Sequence, residues 1–368
     1  MGAVFALALG SCNRLALDDP RVTCHVAAEP IRITMPADIR KQYLAHKERT
    51  NVPAALREWQ VGTIQFGPEP AGPCKYHARG NNSMRSIRKS YSIKLPKRQT
   101  VLPGVKMRRV FLLNLASDRH EFEMRFAHEC QKAAGVFSPE QLLTRVIVND
   151  EDDGLYLLCE RHHTAIRRAH PDTTLVVRCG VQNYATAWPS VSIDWRAVRE
   201  LRRALKLEDV AERARSLDGI LDVDAFVRWM ACNSLLMNAD TVDELFLFEQ
   251  RKPGEKIGRF GVMGWDFDDL NAPPSHPERV LDHPLTWAAE SDLEKAVLTT
   301  EPLLQRYRET LGELLRNELS MAMIDARLDS LRVALNAAEP DEARDRAMDE
   351  FRESIANRHR HLLEQLRD

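Results

Sequence analysis

An apolar run, Gly261-Val-Met-Gly-Trp265, stops abruptly at three carboxylates, Asp266, Asp268 and Asp269. Hard divalent cations take clustered oxygen ligands on a short, fixed loop, and a buried strand ending beside the cluster supplies that rigidity. Upstream, Met237-Asn-Ala-Asp240 closes a helix-like segment with a second amide and carboxylate. A strand-like stretch, Glu244 to Glu249, joins the two loops. Two such loops resemble a phosphoryl-transfer site, where one Asp orients the nucleophile and another holds the metal. Taken singly, each has a plainer reading. An Asp after a strand is commonly a turn residue or a helix cap, and Asn238 with Asp240 reads equally as a helix stop.

A second stretch adds to the first. Arg79-Gly-Asn-Asn-Ser83 is a glycine bend with amide and hydroxyl donors, and Arg88-Lys-Ser-Tyr-Ser-Ile-Lys94 is a basic strand. Backbone amides at such a bend can approach a phosphate, and the strand supplies fixed positive charge. Strand alternation puts Ser90, Ser92 and Lys94 on one face and Tyr91, Ile93 and Leu95 on the other. A small residue two before a Lys leaves room for a nucleotide whose phosphates the Lys reaches, as in the Val-Ala-Ile-Lys strand of protein kinases. The plainer reading is a solvated edge strand guarded by Lys and Arg.

The chain has 368 residues, enough for two lobes with a substantial core. With 44% hydrophobic and 29% charged residues it has the composition of a soluble globular protein. A formal net charge of −2 provides no global basic field for nucleic acid. No apolar run is long enough to span a bilayer. The N-terminus stands apart. Val4 to Leu9 is a short apolar segment, and Leu9-Gly-Ser-Cys12 looks like a bacterial lipobox, which predicts export and lipidation at Cys12. The segment lacks a basic leader, so a buried first strand in a cytoplasmic protein is the alternative. The cysteines other than Cys12 form an even set, which suits an oxidising compartment. Cys130, Cys159 and Cys232 lie in apolar periodic segments and read equally as core thiols. With no Cys-x-x-Cys pair, a structural zinc site is not expected.

Periodicity divides the chain. Residues 1–29 read as a lipoprotein signal and linker. Residues 30–162 read as a β-rich part: strands within Glu29 to Pro36, at Val61 to Phe66, Tyr91 to Leu95 and Val110 to Leu115, and a hairpin of Leu142 to Asn149 with Leu155 to Glu160 across Asp150–Gly154. Helices are expected over Asp38 to Glu48 and, capped by Ser117 or Asp118, through Phe122, Phe126 and Cys130 to a stop at Gly135. Residues 163–368 read as mainly helical, with helices at Val198 to Ala214, Asp222 to Met237, Pro302 to Ala337 and Asp341 to Leu366. On the last, Met348, Phe351, Ile355, Leu362 and Leu366 trace a core stripe. The pair His162-His163 has no ligand partner at helical spacing and reads as surface or lobe-joint structure. The Walker pattern, Gly-x-Gly-x-x-Gly, His-Glu-x-x-His and Gly-x-Ser-x-Gly are all absent.

Four blocks in order resemble the CotH family of atypical secreted kinases, first associated with spore coats. They are Arg79-Gly-Asn with Arg88-Lys-Ser-Tyr-Ser-Ile-Lys94, Val146-Ile-Val-Asn with Gly154-Leu-Tyr-Leu-Leu-Cys-Glu160, Asn238-Ala-Asp240, and Trp265-Asp-Phe-Asp268. The final helix with Arg358 also resembles the family, so the likeness runs over about residues 30 to 366.

The resemblance implies an α+β, divergent two-lobed protein-kinase-like fold, with a β-rich N-lobe and a mainly helical C-lobe. It implies ATP and Mg2+ or Mn2+ as cofactors. Arg79, Lys89, Lys94 and Glu160 would bind the nucleotide, with Lys94 preferred over Lys89 on the phosphates and Glu160 at the hinge. Asp240 would be the catalytic Asp; Asp266 would hold metal, with Asp268 and Asn238 in support. The implied reaction is phosphoryl transfer to a hydroxyl, with Ser or Thr of an extracytoplasmic protein as acceptor, or alternatively a carbohydrate. The chain departs from the family where an Asn follows the catalytic Asp: Glu244 or Leu245 stands there. That departure leaves open a non-catalytic surface module binding nucleotide, polysaccharide or a partner protein. No helix glutamate is singled out among Glu121, Glu123 and Glu129.

Overall fold

A computed structural model describes residues 26–48, 51–80, 82–102, 104–242, 244–274 and 276–367. Cys12, with the expected signal segment, lies outside the described residues. The chain forms two compact units. Among the described residues, the first runs over 26–116, 140–160 and 329–341; the second over 117–139, 161–328 and 342–367. The single boundary expected at 162 is thus replaced by several crossings. The barrel strands before Arg161 belong to the first unit, and the helices from His162 to Arg316 belong to the second.

The first unit is a closed barrel. Its strands are β1 (Ile31–Thr34), β2 (Gln60–Phe66), β3 (Gly72–Arg79), β4 (Ser90–Leu102), β5 (Val105–Leu113), β6 (Gln141–Val148) and β7 (Glu151–Glu160). They close in the order β1-β2-β3-β4-β5-β7-β6, with β1 parallel to β6 and the other pairs antiparallel. Closure removes the free edges that an open sheet would expose. Two short helices, α1 (Ala37–Ala45) and α2 (Ala54–Arg57), accompany it. Alternation on β4 agrees with the expectation: Tyr91, Ile93 and Leu95 enter the core with Tyr43, Tyr76 and Tyr156. Tyr91 stacks between Tyr43 at 5.9 Å and Tyr156 at 6.2 Å. A buried ion pair, Arg40 to Asp153 at 2.6 Å, lies among these rings, and the Tyr156 hydroxyl donates to the other Asp153 oxygen. Each Asp153 oxygen thus has a partner, which a buried carboxylate requires.

Two details differ from the sequence expectation. Strand β3 occupies a stretch whose first residues, Gly72 and Pro73, predict a loop. The β6–β7 turn is Asn149-Asp150, both with positive φ (50° and 65°), rather than the whole acidic run. Two consecutive residues with φ > 0 make the tight turn that matches strand twist. Asp152 and Asp153 therefore belong to β7.

The second unit contains α3 (Glu123–Ala133), α4 (His162–Ala169), β8 (Thr173–Cys179), β9 (Tyr184–Trp188), α5 (Arg196–Leu205), α6 (Val210–Ile220), α7 (Val223–Leu236), β10 (Leu245–Gln250), β11 (Arg259–Gly264), α8 (Asp292–Thr299), α9 (Glu301–Arg316) and α11 (Glu342–Gln365); α10 (Met321–Ala338) has residues in both units. Its sheet has the order β11-β10-β8-β9. The sequence pattern shows β10 and β11 but not β8 and β9, and the single helix expected over Val198 to Ala214 is broken between α5 and α6. Helix α7 begins at a cap, Asp222, whose carboxylate accepts from the Ala225 amide at 3.2 Å. The α11 stripe is core: Phe351 meets Phe122 and Phe126 edge-on at 5.5 and 5.6 Å. Cys74, Cys130, Cys159, Cys179 and Cys232 are buried free thiols, which fits the core-thiol reading of the cysteines. Among the described residues no helix is long and apolar enough to cross a membrane.

Candidate active site

Helix α7 ends at Met237, which takes the left-handed conformation (φ 51°, ψ 46°) and turns the chain. The Asn238 amide then donates back to the Asn233 carbonyl at 3.0 Å. The Asn238 side chain braces the loop: its nitrogen donates to Asn233 Oδ1 at 3.1 Å and its oxygen accepts from the Asp240 amide at 3.2 Å. Asn238 is thus a buried loop-former, and its side-chain oxygen keeps one lone pair beyond this bond.

The hairpin β10–β11 carries the chain from Asp240 to Asp266, in register from Leu245 opposite Gly264 to Gln250 opposite Arg259. Three backbone bonds tie the loops: Ala239 amide to Asp269 carbonyl (3.0 Å), Asn271 amide to Leu236 carbonyl (3.2 Å) and Trp265 amide to Glu244 carbonyl (2.8 Å). Asp266 itself has φ 56°. Non-glycine residues adopt that conformation at a cost, and such strain concentrates where function requires it. Gly264 permits the turn, since a Cβ there would lie 2.5 Å from the Phe267 ring and 3.0 Å from Trp229 Nε1. Phe267 is buried against the His128 ring at 4.9 Å, and His128 accepts or donates a bond with Ser138 Oγ at 2.9 Å. The imidazole of His162 stacks on Phe246 at 4.4 Å, so that histidine packs on the hairpin.

The electrostatics of this region are those of crowded carboxylates. Burial, then the charges of Asp266, Asp240, Asp268 and Asp269, hold the Glu244 carboxyl far above the usual range. Its Oε2 is buried and has no hydrogen-bond partner, in a residue only 5% exposed. Burial followed by Asp266 and Asp269 pushes Asp268 up to about 8, against a hydrogen bond from Ser117. Burial, then Asp118 and Asp269, pushes Glu123 up to about 8. Asp118 rises to about 6 by burial, although the amides of Phe122 and Met124 donate to it at 3.0 and 2.9 Å. The N-cap of α3 is Phe122, so neither Ser117 nor Asp118 is the cap the sequence predicts; Asp118 instead accepts from amides at the start of the helix and neighbours the acidic group. Sequence reasoning does not single out Glu123; its only signal is an acidic first turn. The other helix candidates are engaged elsewhere, Glu129 with Arg125 (2.7 Å) and Glu121 with Arg344 (3.7 Å). Among the described residues no three His, Cys, Asp or Glu side chains stand as a preformed metal cage.

In the barrel, Lys94 is half-buried on the face opposite the core, between Lys75 on β3 and Arg109 on β5. Like charges directly opposite one another are unfavourable in a sheet, so this row has a cost. Two positions away, Ser92 lies between His77 and Phe111. Arg79 stacks its guanidinium over Phe111 at 3.7 Å, and its carbonyl accepts from Ser83 Oγ at 2.9 Å. Gly80, at φ 86°, makes that bend. Glu160 is buried at the end of β7, its amide on the Glu140 carbonyl at 3.2 Å. Lys89 is placed differently from the expectation. It is fully buried, and its ammonium donates to the carbonyls of His46 (2.6 Å), Met84 (3.1 Å) and Ser86. Those three bonds occupy all of its donors, so Lys89 holds the bend rather than a phosphate. Arg88 is likewise structural, bonding the carbonyls of Asp153, Leu155 and Asn114.

The family described as CotH kinase protein matches residues 76–367. No curated protein matches. Among solved structures, the Helicobacter pylori proinflammatory kinase CtkA is similar at 12% identity and a TM-score of 0.40, covering 82% of this chain and 96% of that one. The Shewanella oneidensis MR-1 toxin–antitoxin HipA, in its complex with HipB and operator DNA, is similar at 11% identity and 0.39, covering 73% of this chain and 66% of that one. The loops carrying Asp240 and Asp266, and the strand carrying Lys94, all fall inside the matched span, and the chain belongs to the CotH kinase protein family.

Proposed function

We propose that this protein transfers the γ-phosphoryl group of ATP to a hydroxyl, with Ser or Thr of an extracytoplasmic protein as the acceptor. The observation that carries the reading is the backbone tie between the Asp240 loop and the Asp266 loop, which brings the charges of Asp266, Asp240, Asp268 and Asp269 to bear on the buried Glu244. These residues fit a divalent cation. Hard oxygens are the donor type Mg2+ or Mn2+ takes, and the orphaned Glu244 Oε2 is a buried acceptor in want of a partner. Asp266, with Asp268 and Glu244, would hold the ion, the carboxylates rotating into ligand geometry. A bound ion would neutralise charge on the transferring phosphoryl group.

Asp240 orients the acceptor hydroxyl and takes its proton as the oxygen bonds to phosphorus and the bridging oxygen leaves with ADP. The transition state is loose, so positioning and charge neutralisation supply most of the rate. Lys94 is the phosphate contact, with Arg79 and Glu160 on the nucleotide side. Export with a lipid anchor on Cys12 belongs to the same reading.

A second reading has a specific observation in its favour. Glu244 or Leu245 stands where the family has Asn, and a kinase fold kept only for binding would tolerate that change. One experiment separates the two. Purified protein and a cell-envelope extract are incubated with γ-labelled ATP and Mg2+ or Mn2+, beside an Asp266→Ala protein. Label with the parent and none with the variant supports transfer. No label with either metal, together with no thermal stabilisation by ATP, assigns the binding module.

A further inference from the structure

The second unit holds a cavity of about 640 Å³ that the proposed chemistry does not use. It is walled by the turn before β9, the C-terminal end of α5, the α5–α6 loop and one face of α8. Four cations line it: Arg202 and Lys206 from α5, Arg213 from α6 and Lys295 from α8. Only two acids, Glu208 and Asp292, are interspersed.

The cations are not neutralised internally. No ion pair holds Arg202, Lys206 or Lys295 among the described residues. Arg202 lies over the Tyr184 ring at 5.4 Å, which orients it without neutralising it. Arg202 and Lys206 are four apart on one helix face, a like-charge spacing that costs a helix a few tenths of a kcal/mol by general rule. Arg213 shapes the wall, donating to the carbonyls of Leu207 (2.8 Å) and Glu208 (3.5 Å) and to Thr300 Oγ1 (3.3 Å). The rim is tied as well, since the Asp292 amide donates to the Val181 carbonyl at 3.1 Å.

We propose that this cavity docks an acidic polypeptide segment of the protein that accepts the phosphoryl group. The proposal rests on the kinase reading above for the identity of the partner, and on the cavity alone for its chemistry. A compact phosphate is the poorer occupant. It wants converging donors and an open arginine fork, whereas the Arg213 fork is occupied. Arg202, Lys206 and Lys295 come from separate turns and helices, as spaced carboxylates along a chain require. Leu205, Leu207 and Ala296 lie between them and suit an intervening apolar side chain. The volume is within the range that binding sites use.

The test uses the full chain without ATP. A fluorescein-labelled peptide of repeating Glu-Leu-Glu-Glu is titrated by anisotropy, beside the same peptide with Gln for Glu. Two variants on different helices are compared, Arg202→Glu with Lys206→Glu, and Lys295→Glu; thermal unfolding verifies that each is folded. The expected result is binding of the Glu peptide alone, weakened by salt, and lowered about tenfold or more in both variants. Equal binding of the Gln peptide, or unchanged affinity in both variants, overturns the proposal. Displacement by pyrophosphate at matched ionic strength would give the site to a compact phosphate and overturn it too. Peptide binding by a protein that the labelling experiment shows neither to transfer phosphate nor to be stabilised by ATP keeps the site and removes only the kinase reading.

Discussion

The Trp265 amide donates to the Glu244 carbonyl at 2.8 Å, which sets the residue before Asp266 against the residue before β10. Glu244 thereby enters the carboxylate group instead of facing solvent. Its burial without a partner is unfavourable until an opposite charge arrives.

Replacing Glu244 with Gln removes a buried, repelled carboxyl at little change in shape. The variant should unfold at a higher temperature than the parent in chelator, and gain less from Mn2+. A ligand at 100 times its dissociation constant adds about 2.7 kcal/mol to the parent. Differential scanning fluorimetry with and without Mn2+, and no nucleotide, reads both. A variant that gains as much as the parent would remove Glu244 from the ion's ligands.

Lys94 and Lys89 lie five positions apart and should fail differently. Lys94→Met relieves a row of like charges, so its melting temperature should hold or rise while ATP transfer falls. Lys89→Met leaves the carbonyls of His46, Met84 and Ser86 unserved, at about 1–3 kcal/mol for each buried group left without a partner. Urea midpoints for both proteins, beside labelled transfer, distinguish the two roles.

Gly264→Ala places a methyl against the Phe267 ring and Trp229. Overpacking of this kind costs about 1–3 kcal/mol, and here it displaces the loop that carries Asp266. Both stability and metal response should drop together. A stable variant with parental metal response would show that the loop yields without consequence.

His128 ties acid sensitivity to the same loop. Burial, then the Arg125 charge, lowers it to about 3, so it is neutral when folded. In the unfolded chain it takes a proton near its ordinary value of about 6.5. Its contribution to stability is therefore present above about pH 6.5 and lost as pH falls towards 3, at up to about 1.4 kcal/mol per pH unit. Asp118 acts in the opposite sense, since its raised value favours the folded state as pH falls below about 6. Urea midpoints from pH 7.5 to 5 in the parent and in His128→Gln isolate the histidine: the variant's curve should be flatter. Parallel curves would contradict a buried neutral His128.

Local pattern made much of this legible. Alternation in Tyr91, Ile93 and Leu95 identified the inner face of β4, helical spacing identified the α11 stripe, and the carboxylates after Trp265 marked the end of β11. Those signals are local because a strand or helix buries its own repeating face. Barrel closure was not visible, because the parallel pairing of β1 with β6 joins residues more than a hundred positions apart. Strand β3 was hidden by Gly72 and Pro73, and β8 and β9 by the helical character of the segments on either side of them. Chain order alone dictates which residues carry charge, where the two acidic loops fall and that a basic strand precedes them. Folding in three dimensions encloses Lys89 in three carbonyls while leaving Lys94 outside them, and it brings Glu123 and Glu244 to the aspartates. Burial, backbone ties between distant loops and the resulting mutual repulsion are properties of packing, and no spacing along the chain encodes them.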